Sequence, residues 1–137
     1  MKTCRLYFVL TAFVSAFMLF AGSAEAQPCY SGFTYRLPIE IDNSKNAKLL
    51  DYEIEVVLNT ASLVSTGKMR SLGQDIRFLD GKGSELNFWI TDGTMNSAKT
   101  SIWIRTDSIS DYTKDTIYMY YGNSSSSPKS NANTTFQ

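Results

Sequence analysis

The sequence predicts an all-β fold, an antiparallel β-sandwich of jelly-roll-like type or a partial barrel. Apolar and polar residues alternate along several short segments, and polar turns rich in glycine, asparagine and aspartate separate these segments. No long segment has the period of an amphipathic helix. Six such strands at intervals of about ten to fifteen residues are typical of a small sandwich. A chain of 137 residues is long enough for one core.

The N-terminus has the three parts of a secretory signal. Lys2 and Arg5 precede the uncharged apolar residues 6–20, and Ala24-Glu25-Ala26 supplies small residues at a cleavage site. The apolar run is shorter than the roughly 20 residues that cross a bilayer. We therefore expect a signal peptide at 1–26, cleavage near Ala26, and a mature chain without a membrane span that is secreted, periplasmic or at the cell surface.

Residue types exclude several functions. The chain has no histidine, which removes Ser-His and Cys-His nucleophile pairs and imidazole-ligated metals, and its formal net charge of zero does not attract nucleic acid. We expect no catalytic residue, metal or cofactor. Cys4 leaves with the leader, so Cys29 is either an unpaired thiol or is bonded to a cysteine on another chain or on a longer form of this one.

The first two strands show a clear two-residue period. Along 35–42 the apolar residues are Tyr35, Leu37, Ile39 and Ile41, and the intervening Pro38 suits an edge strand or a strand start. Along the second strand the residues predicted to face inward are Tyr52, Ile54, Val56 and Leu58. Those predicted to face outward are Asp51, Glu53, Glu55 and Val57.

A short helical turn and a hairpin follow. Thr60 is a candidate cap and Gly67 a candidate end for one helical turn. The strand 75–80, the glycine-containing turn 80–83 and a return strand with Leu86, Phe88 and Ile90 predict a hairpin.

The last strands are 102–104 and 117–121. The Ser- and Asn-rich residues 124–137 have the composition of a linker or of a truncated tail, which would leave the sheet incomplete at its C-terminus. The predicted sandwich domain therefore spans 27–123.

Three carboxylates form one candidate site. Alternate residues of a strand lie about 6.6 to 6.8 Å apart, so Asp51, Glu53 and Glu55 match the spacing of the two acids in inverting glycosidases. A glycosidase, however, needs its acids on opposite sides of the scissile bond and in unlike environments. These acids are better explained as a solvent-exposed strand face whose charges discourage the edge of the sheet from pairing with another sheet edge.

Four aromatic residues form the second candidate site. Trp89, Trp103, Tyr118 and Tyr120 each lie between inward-pointing residues, so they project from the opposite face of their strands. If the strands were neighbours, these rings would form an aromatic shelf on which a sugar ring could stack. The alternative is that loops or a following domain cover the rings as core.

The order of seven segments resembles a family of exported bacterial and archaeal proteins, the domain-of-unknown-function 2341 family. The matching segments lie between Ser31 and Asn123 and are Tyr35-Arg-Leu-Pro-Ile-Glu-Ile, Leu50-Asp-Tyr-Glu-Ile, Gly67-Lys-Met, Gly73-Gln-Asp-Ile-Arg-Phe, Asn87-Phe-Trp-Ile, Ile102-Trp-Ile and Ile117-Tyr-Met-Tyr-Tyr-Gly-Asn. Two departures are that Thr91 stands where the pattern usually has an acid, and that relatives continue beyond Gln137.

The resemblance implies a β-sandwich module without an assigned activity. Members are often followed by a concanavalin A-like lectin domain, or form the periplasmic front of TolQ/ExbB-type proton-channel proteins. We therefore expect a non-catalytic exported module for binding or presentation at the cell envelope, with a glycan or an envelope protein as partner and a lectin-like or channel domain missing from this chain. The alternatives are a protein-contact domain of an energy-coupling channel and a glycoside hydrolase that uses two of the acids above.

Overall fold

Two antiparallel sheets pack against each other as a β-sandwich in the computed structural model, which describes Arg5–Leu6 and residues 30–137. The predicted fold class is confirmed. Within this part of the chain no helix has the length and apolar character needed to cross a membrane. The predicted cleavage site at Ala26 and the single mature cysteine, Cys29, lie outside the described residues.

Eight strands and two short helices make up the described chain. In order they are β1 (Arg5–Leu6), β2 (Tyr35–Asp42), β3 (Leu49–Leu58), α1 (Thr60–Ser65), β4 (Arg77–Leu79), β5 (Glu85–Leu86), β6 (Phe88–Ile90), β7 (Thr100–Ile109), β8 (Lys114–Tyr121) and α2 (Ala132–Thr135).

The first sheet has the strand order β1-β2-β8-β4-β5, and the second has the order β3-β7-β6. All pairings are antiparallel except that of β1, which runs parallel to the start of β2. Cleavage of the predicted leader would remove β1 and leave β2 at the edge of the first sheet.

The core consists of the inward side chains of both sheets. Phe78 and Met119 of the first sheet and Ile102 and Ile104 of the second are fully buried. The rings of Phe78 and Phe88 meet edge to face with their centroids 5.2 Å apart. Because Phe78 belongs to β4 and Phe88 to β6, this contact joins the two sheets.

The predicted return strand of the hairpin is divided between the two sheets. Leu86 pairs with Phe78 in the first sheet, whereas Phe88 pairs with Ile104 in the second, so the chain changes sheet at Asn87. The prediction of a single return strand was therefore wrong. The alternation of inward and outward residues nevertheless continues across Asn87, since Leu86, Phe88 and Ile90 all face the same core.

The predicted helical turn is α1, but its cap is one residue earlier than expected. The side chain of Asn59 accepts a hydrogen bond from the N–H of Ser62 at 3.1 Å. Thr60, the predicted cap, is instead fully buried, and its hydroxyl lies 2.6 Å from that of Thr100. Two buried hydroxyls thus satisfy each other where the helix meets β7.

Tyr52 was predicted to pack inward with Ile54, Val56 and Leu58, but it does not join the core. Val56 and Leu58 pack against the core as predicted, but Tyr52 is 46% exposed. Next to it, Asp51 has a positive φ of 47°. Thr106, the register partner of Tyr52 on β7, is only 5% exposed, so burial at this level reaches β7 but not the side chain of Tyr52 on the edge strand β3.

The Ser- and Asn-rich residues 124–137 lie against the sandwich. Asn131 donates its N–H to the carbonyl of Phe88 at 2.9 Å, and the Ser130 hydroxyl accepts from the N–H of Ile90 at 2.8 Å. Thr135 of α2 is fully buried. This segment therefore follows the free edge of β6 and reaches the outer face of the second sheet.

Candidate functional site

The structure places the four predicted aromatic residues on two different sheets. Trp89 and Trp103 are register partners on β6 and β7, whereas Tyr118 and Tyr120 lie on β8 of the first sheet. Outward side chains of the two sheets point in opposite directions. The four rings therefore do not form one shelf.

The two tyrosines differ in exposure, since Tyr120 is buried and Tyr118 is partly exposed. Tyr120 is only 2% exposed, and the ring of Tyr30 lies 5.8 Å from it. The guanidinium carbon of Arg36 lies 4.7 Å from the centroid of the Tyr118 ring, which is a cation–π contact. Tyr120 is therefore not accessible to a ligand, and Arg36 occupies one face of the partly exposed Tyr118 ring.

The two tryptophans lie on the outer face of the second sheet, and both are partly exposed. Phe136, which follows α2, sits edge-on to both, with its centroid 5.7 Å from each indole. Phe136 is itself 43% exposed. We call this surface the tryptophan face; it consists of Trp89, Trp103, Phe136, Ser101, Arg105, Glu53 and Glu55.

Hydrogen-bonding groups lie directly beside these rings. Glu55 is the register partner of Trp103, so one row across the sheet reads Glu55, Trp103, Trp89. The Ser101 hydroxyl donates to Glu55 Oε1 at 2.7 Å. Carboxylate and hydroxyl groups are therefore held within one strand spacing of the indoles.

Arg105 is the cation of the tryptophan face. Its Nη2 lies 3.2 Å from Asp51 Oδ1 and its Nη1 lies 3.7 Å from Glu53 Oε1. Its side chain is 16% exposed, and Nη1 also donates to the carbonyl of Gln137 at 3.5 Å. The three predicted acids therefore do share one face, with Arg105 beside two of them.

A cleft of about 430 Å³ lies at one end of the sandwich, between the two sheets. Two of its three aspartates stabilise loops: Asp80 accepts from the N–H groups of Lys82 and Ser84, and Asp115 accepts from the N–H of Ser110 at 2.6 Å. Within the described residues no group of three or more acidic, cysteine or histidine side chains is arranged to hold a metal ion.

Polar contacts around Glu85 lie on the outer face of the first sheet. The Tyr30 hydroxyl donates to Glu85 Oε2 at 2.7 Å, and Lys129 Nζ lies 3.0 Å from Glu85 Oε1. The hydrogen bond to Glu85 raises the pKa of Tyr30. Burial raises the pKa of Glu85, but hydrogen bonds from Tyr30 and Lys129, together with the positive charges of Lys129 and Arg77, hold that pKa below its usual value.

Phe136 was absent from the predicted site. Its signal in the sequence is that it is the only aromatic residue in the polar stretch 124–137. Its contact with the tryptophans depends on the path of the tail along β6, which residue composition does not reveal.

The fold and this surface define a two-sheet β-sandwich with a partly exposed aromatic cluster on an outer face. Residues 72–137 match the model of the family described as Domain of unknown function (DUF2341), so the predicted resemblance is confirmed for this part of the chain. The match spans β4 to α2 and so includes Trp89, Trp103 and Phe136. Comparison with curated proteins and with solved structures gave no significant match.

Proposed function

We propose that this protein is an exported, non-catalytic module that binds carbohydrate at the cell envelope through the tryptophan face. The observation that carries the proposal is the pairing of Trp89 and Trp103 across neighbouring strands. Two partly exposed indoles on one flat surface are an unusual feature unless a ligand or a partner covers them.

The chemistry of this face suits a sugar. The apolar side of a pyranose ring stacks on an indole, which combines a large contact area with a polar N–H. The Glu55 carboxylate can accept hydrogen bonds from sugar hydroxyls, and the Arg105 guanidinium can donate to them. One row of the sheet thus supplies both kinds of contact that orient a ligand.

The arrangement of the carboxylates favours binding over hydrolysis. Glu53 and Glu55 project from the same face of one strand, and no cleft separates them. A glycosidase places two carboxyl groups on opposite sides of the bond that breaks. We therefore propose that these acids contact the ligand or Arg105 and transfer no proton.

Intrinsic fluorescence offers a direct test, because the chain has only two tryptophans and both lie on this face. A glycan array identifies candidate ligands, and each is then titrated while indole emission is recorded. A stacked sugar is expected to change the emission and to saturate. Trp103→Ala should weaken binding by about tenfold or more, since one stacked ring contributes about 1 to 3 kcal/mol.

Tyr112→Ala is the matched control, because Tyr112 is 67% exposed and lies on the turn between β7 and β8, outside the strands that carry the indoles. Binding that survives in this variant and is lost in Trp103→Ala, with both proteins folded by circular dichroism, supports the proposal. Absence of binding to every glycan, or equal binding by both variants, contradicts it.

A further inference from the structure

The strand β3 (Leu49–Leu58) forms a long edge of the second sheet. Within the part of the chain that the structure describes, its only strand partner is β7. In an edge strand every second residue directs its N–H and C=O away from the sheet, which creates a template for another strand. With ten residues β3 is longer than most edge strands.

Exposed apolar side chains concentrate on this strand. The described residues include six large hydrophobic side chains that are exposed, and three of them belong to β3. They are Leu50 at 63%, Tyr52 at 46% and Val57 at 56%. Leu50 and Tyr52 share the parity of Ile54 and lie on the inner side, whereas Val57 lies on the outer side, so the exposed apolar side chains follow this edge on both sides of the sheet.

The charges of β3 disfavour a second copy of this chain as the occupant. Asp51, Glu53 and Glu55 lie on its outer side, and Arg105 is the cation that pairs with the first two. Antiparallel self-pairing about Ile54 would place Glu53 opposite Glu55, and parallel pairing in register would place each acid opposite itself. Like charges in opposite positions are destabilising.

We propose that the free edge of β3 receives an extended segment of a partner protein in which Lys or Arg alternates with apolar residues. The basic side chains then lie on the outer side, next to the excess of carboxylates. The apolar side chains lie on the inner side and cover Tyr52, which follows the parity of Ile54. Backbone hydrogen bonds to β3 supply affinity, and the alternation supplies specificity.

The test uses a synthetic ten-residue peptide of alternating Lys and Val. The full chain is expressed from Met1 so that any leader is processed as in the native protein. Amide hydrogen exchange is then measured with and without the peptide. We expect exchange of the outward amides of β3 to slow by about tenfold at saturation. Two control peptides should leave exchange unchanged: one with Glu in place of Lys, and one N-methylated on alternate residues, which keeps the charge but cannot donate to the edge.

Two matched variants locate the binding surface on the protein. Val57→Lys places a cation on the outer side of β3 and should weaken peptide binding about tenfold. Leu72→Lys introduces the same charge at a residue that is 72% exposed on a turn outside β3, and should bind like the unmodified chain.

Three results would overturn the inference. They are no protection of β3 by the Lys-Val peptide, equal binding of the N-methylated peptide, and a dimer in sedimentation that Val57→Lys dissociates. The inference stands apart from the proposed glycan binding, because Trp103→Ala should leave peptide protection intact while it weakens the sugar binding that fluorescence measures.

Discussion

The guanidinium Nη2 of Arg77 donates to the hydroxyl oxygen of Ser126 at 2.7 Å. It also donates to the carbonyl of Ser127 at 2.7 Å, and Nη1 donates to the carbonyl of Ile76 at 2.6 Å. Arg77 is 5% exposed. One buried cation therefore connects the first sheet to the segment that continues to Phe136 on the other side of the sandwich.

Replacing Arg77 by Met should lower the free energy of unfolding by about 3 kcal/mol. The change leaves several carbonyl oxygens without donors, and hydrogen bonds to a charged group contribute about 1.5 to 3 kcal/mol each. Urea denaturation measures the difference. Lys82→Met, a comparable change at an exposed lysine, should stay within about 0.5 kcal/mol of the unmodified chain; an equal loss in both variants would contradict the assignment.

Asp75→Asn should cost about 2 kcal/mol of stability although it preserves side-chain shape. The buried carboxylate accepts from the N–H of Arg70 at 3.0 Å and, through its other oxygen, from the N–H of Gly122 at 3.0 Å. An amide has one acceptor oxygen, so one of these N–H groups would face an NH₂ group. The exposed Asp92→Asn serves as control; equal melting temperatures of the two variants would contradict the prediction.

Gly122→Ala should destabilise the protein by at least about 2 kcal/mol. Gly122 has a φ of +83°, and an added Cβ would lie 2.6 Å from Cδ2 of Tyr35. Gly67→Ala is the matched control, because Gly67 also has a positive φ, +67°, but no atom within 4 Å of the added Cβ. That variant should lose about 1 kcal/mol from backbone strain alone. If the two losses were equal, contact with Tyr35 would not contribute.

Tyr30→Phe should raise the pKa of Glu85 toward its ordinary value of about 4.3. Burial already raises this pKa, and the variant removes one of the hydrogen bonds that outweigh burial. Because the pKa is lowered in the folded state, the associated stabilisation is present above the ordinary value and is lost as the pH falls through the folded value. Carboxyl ¹³C titration of Glu85 measures the shift. Tyr112→Phe should leave it unchanged, and an unchanged titration in Tyr30→Phe would rule out this hydrogen bond as a cause.

The alternation of apolar and polar residues predicted the strands and their inward faces correctly where one face of the strand meets the core and the other meets solvent. Leu37, Ile39, Val56 and Leu58 all contact the core as their parity predicts. Tyr52 did not, because parity reports the side of a strand and does not report whether the opposite sheet extends far enough to cover it. Only two of the four predicted aromatic residues belong to the observed site. The two tryptophans are register partners, but nothing in the sequence indicated that β8, which carries the two tyrosines, belongs to the other sheet.

The alternating pattern was enough to predict a layered all-β fold, since a period of two can bury apolar side chains on one face only if that face meets another layer. Which outward residues become neighbours depends on how the strands are ordered in the folded protein. Trp89, Trp103 and Phe136 meet because the chain changes sheet at Asn87 and because buried Arg77 and the edge of β6 hold the tail in place. Those contacts join residues far apart along the chain, and local alternation carries no information about such pairs.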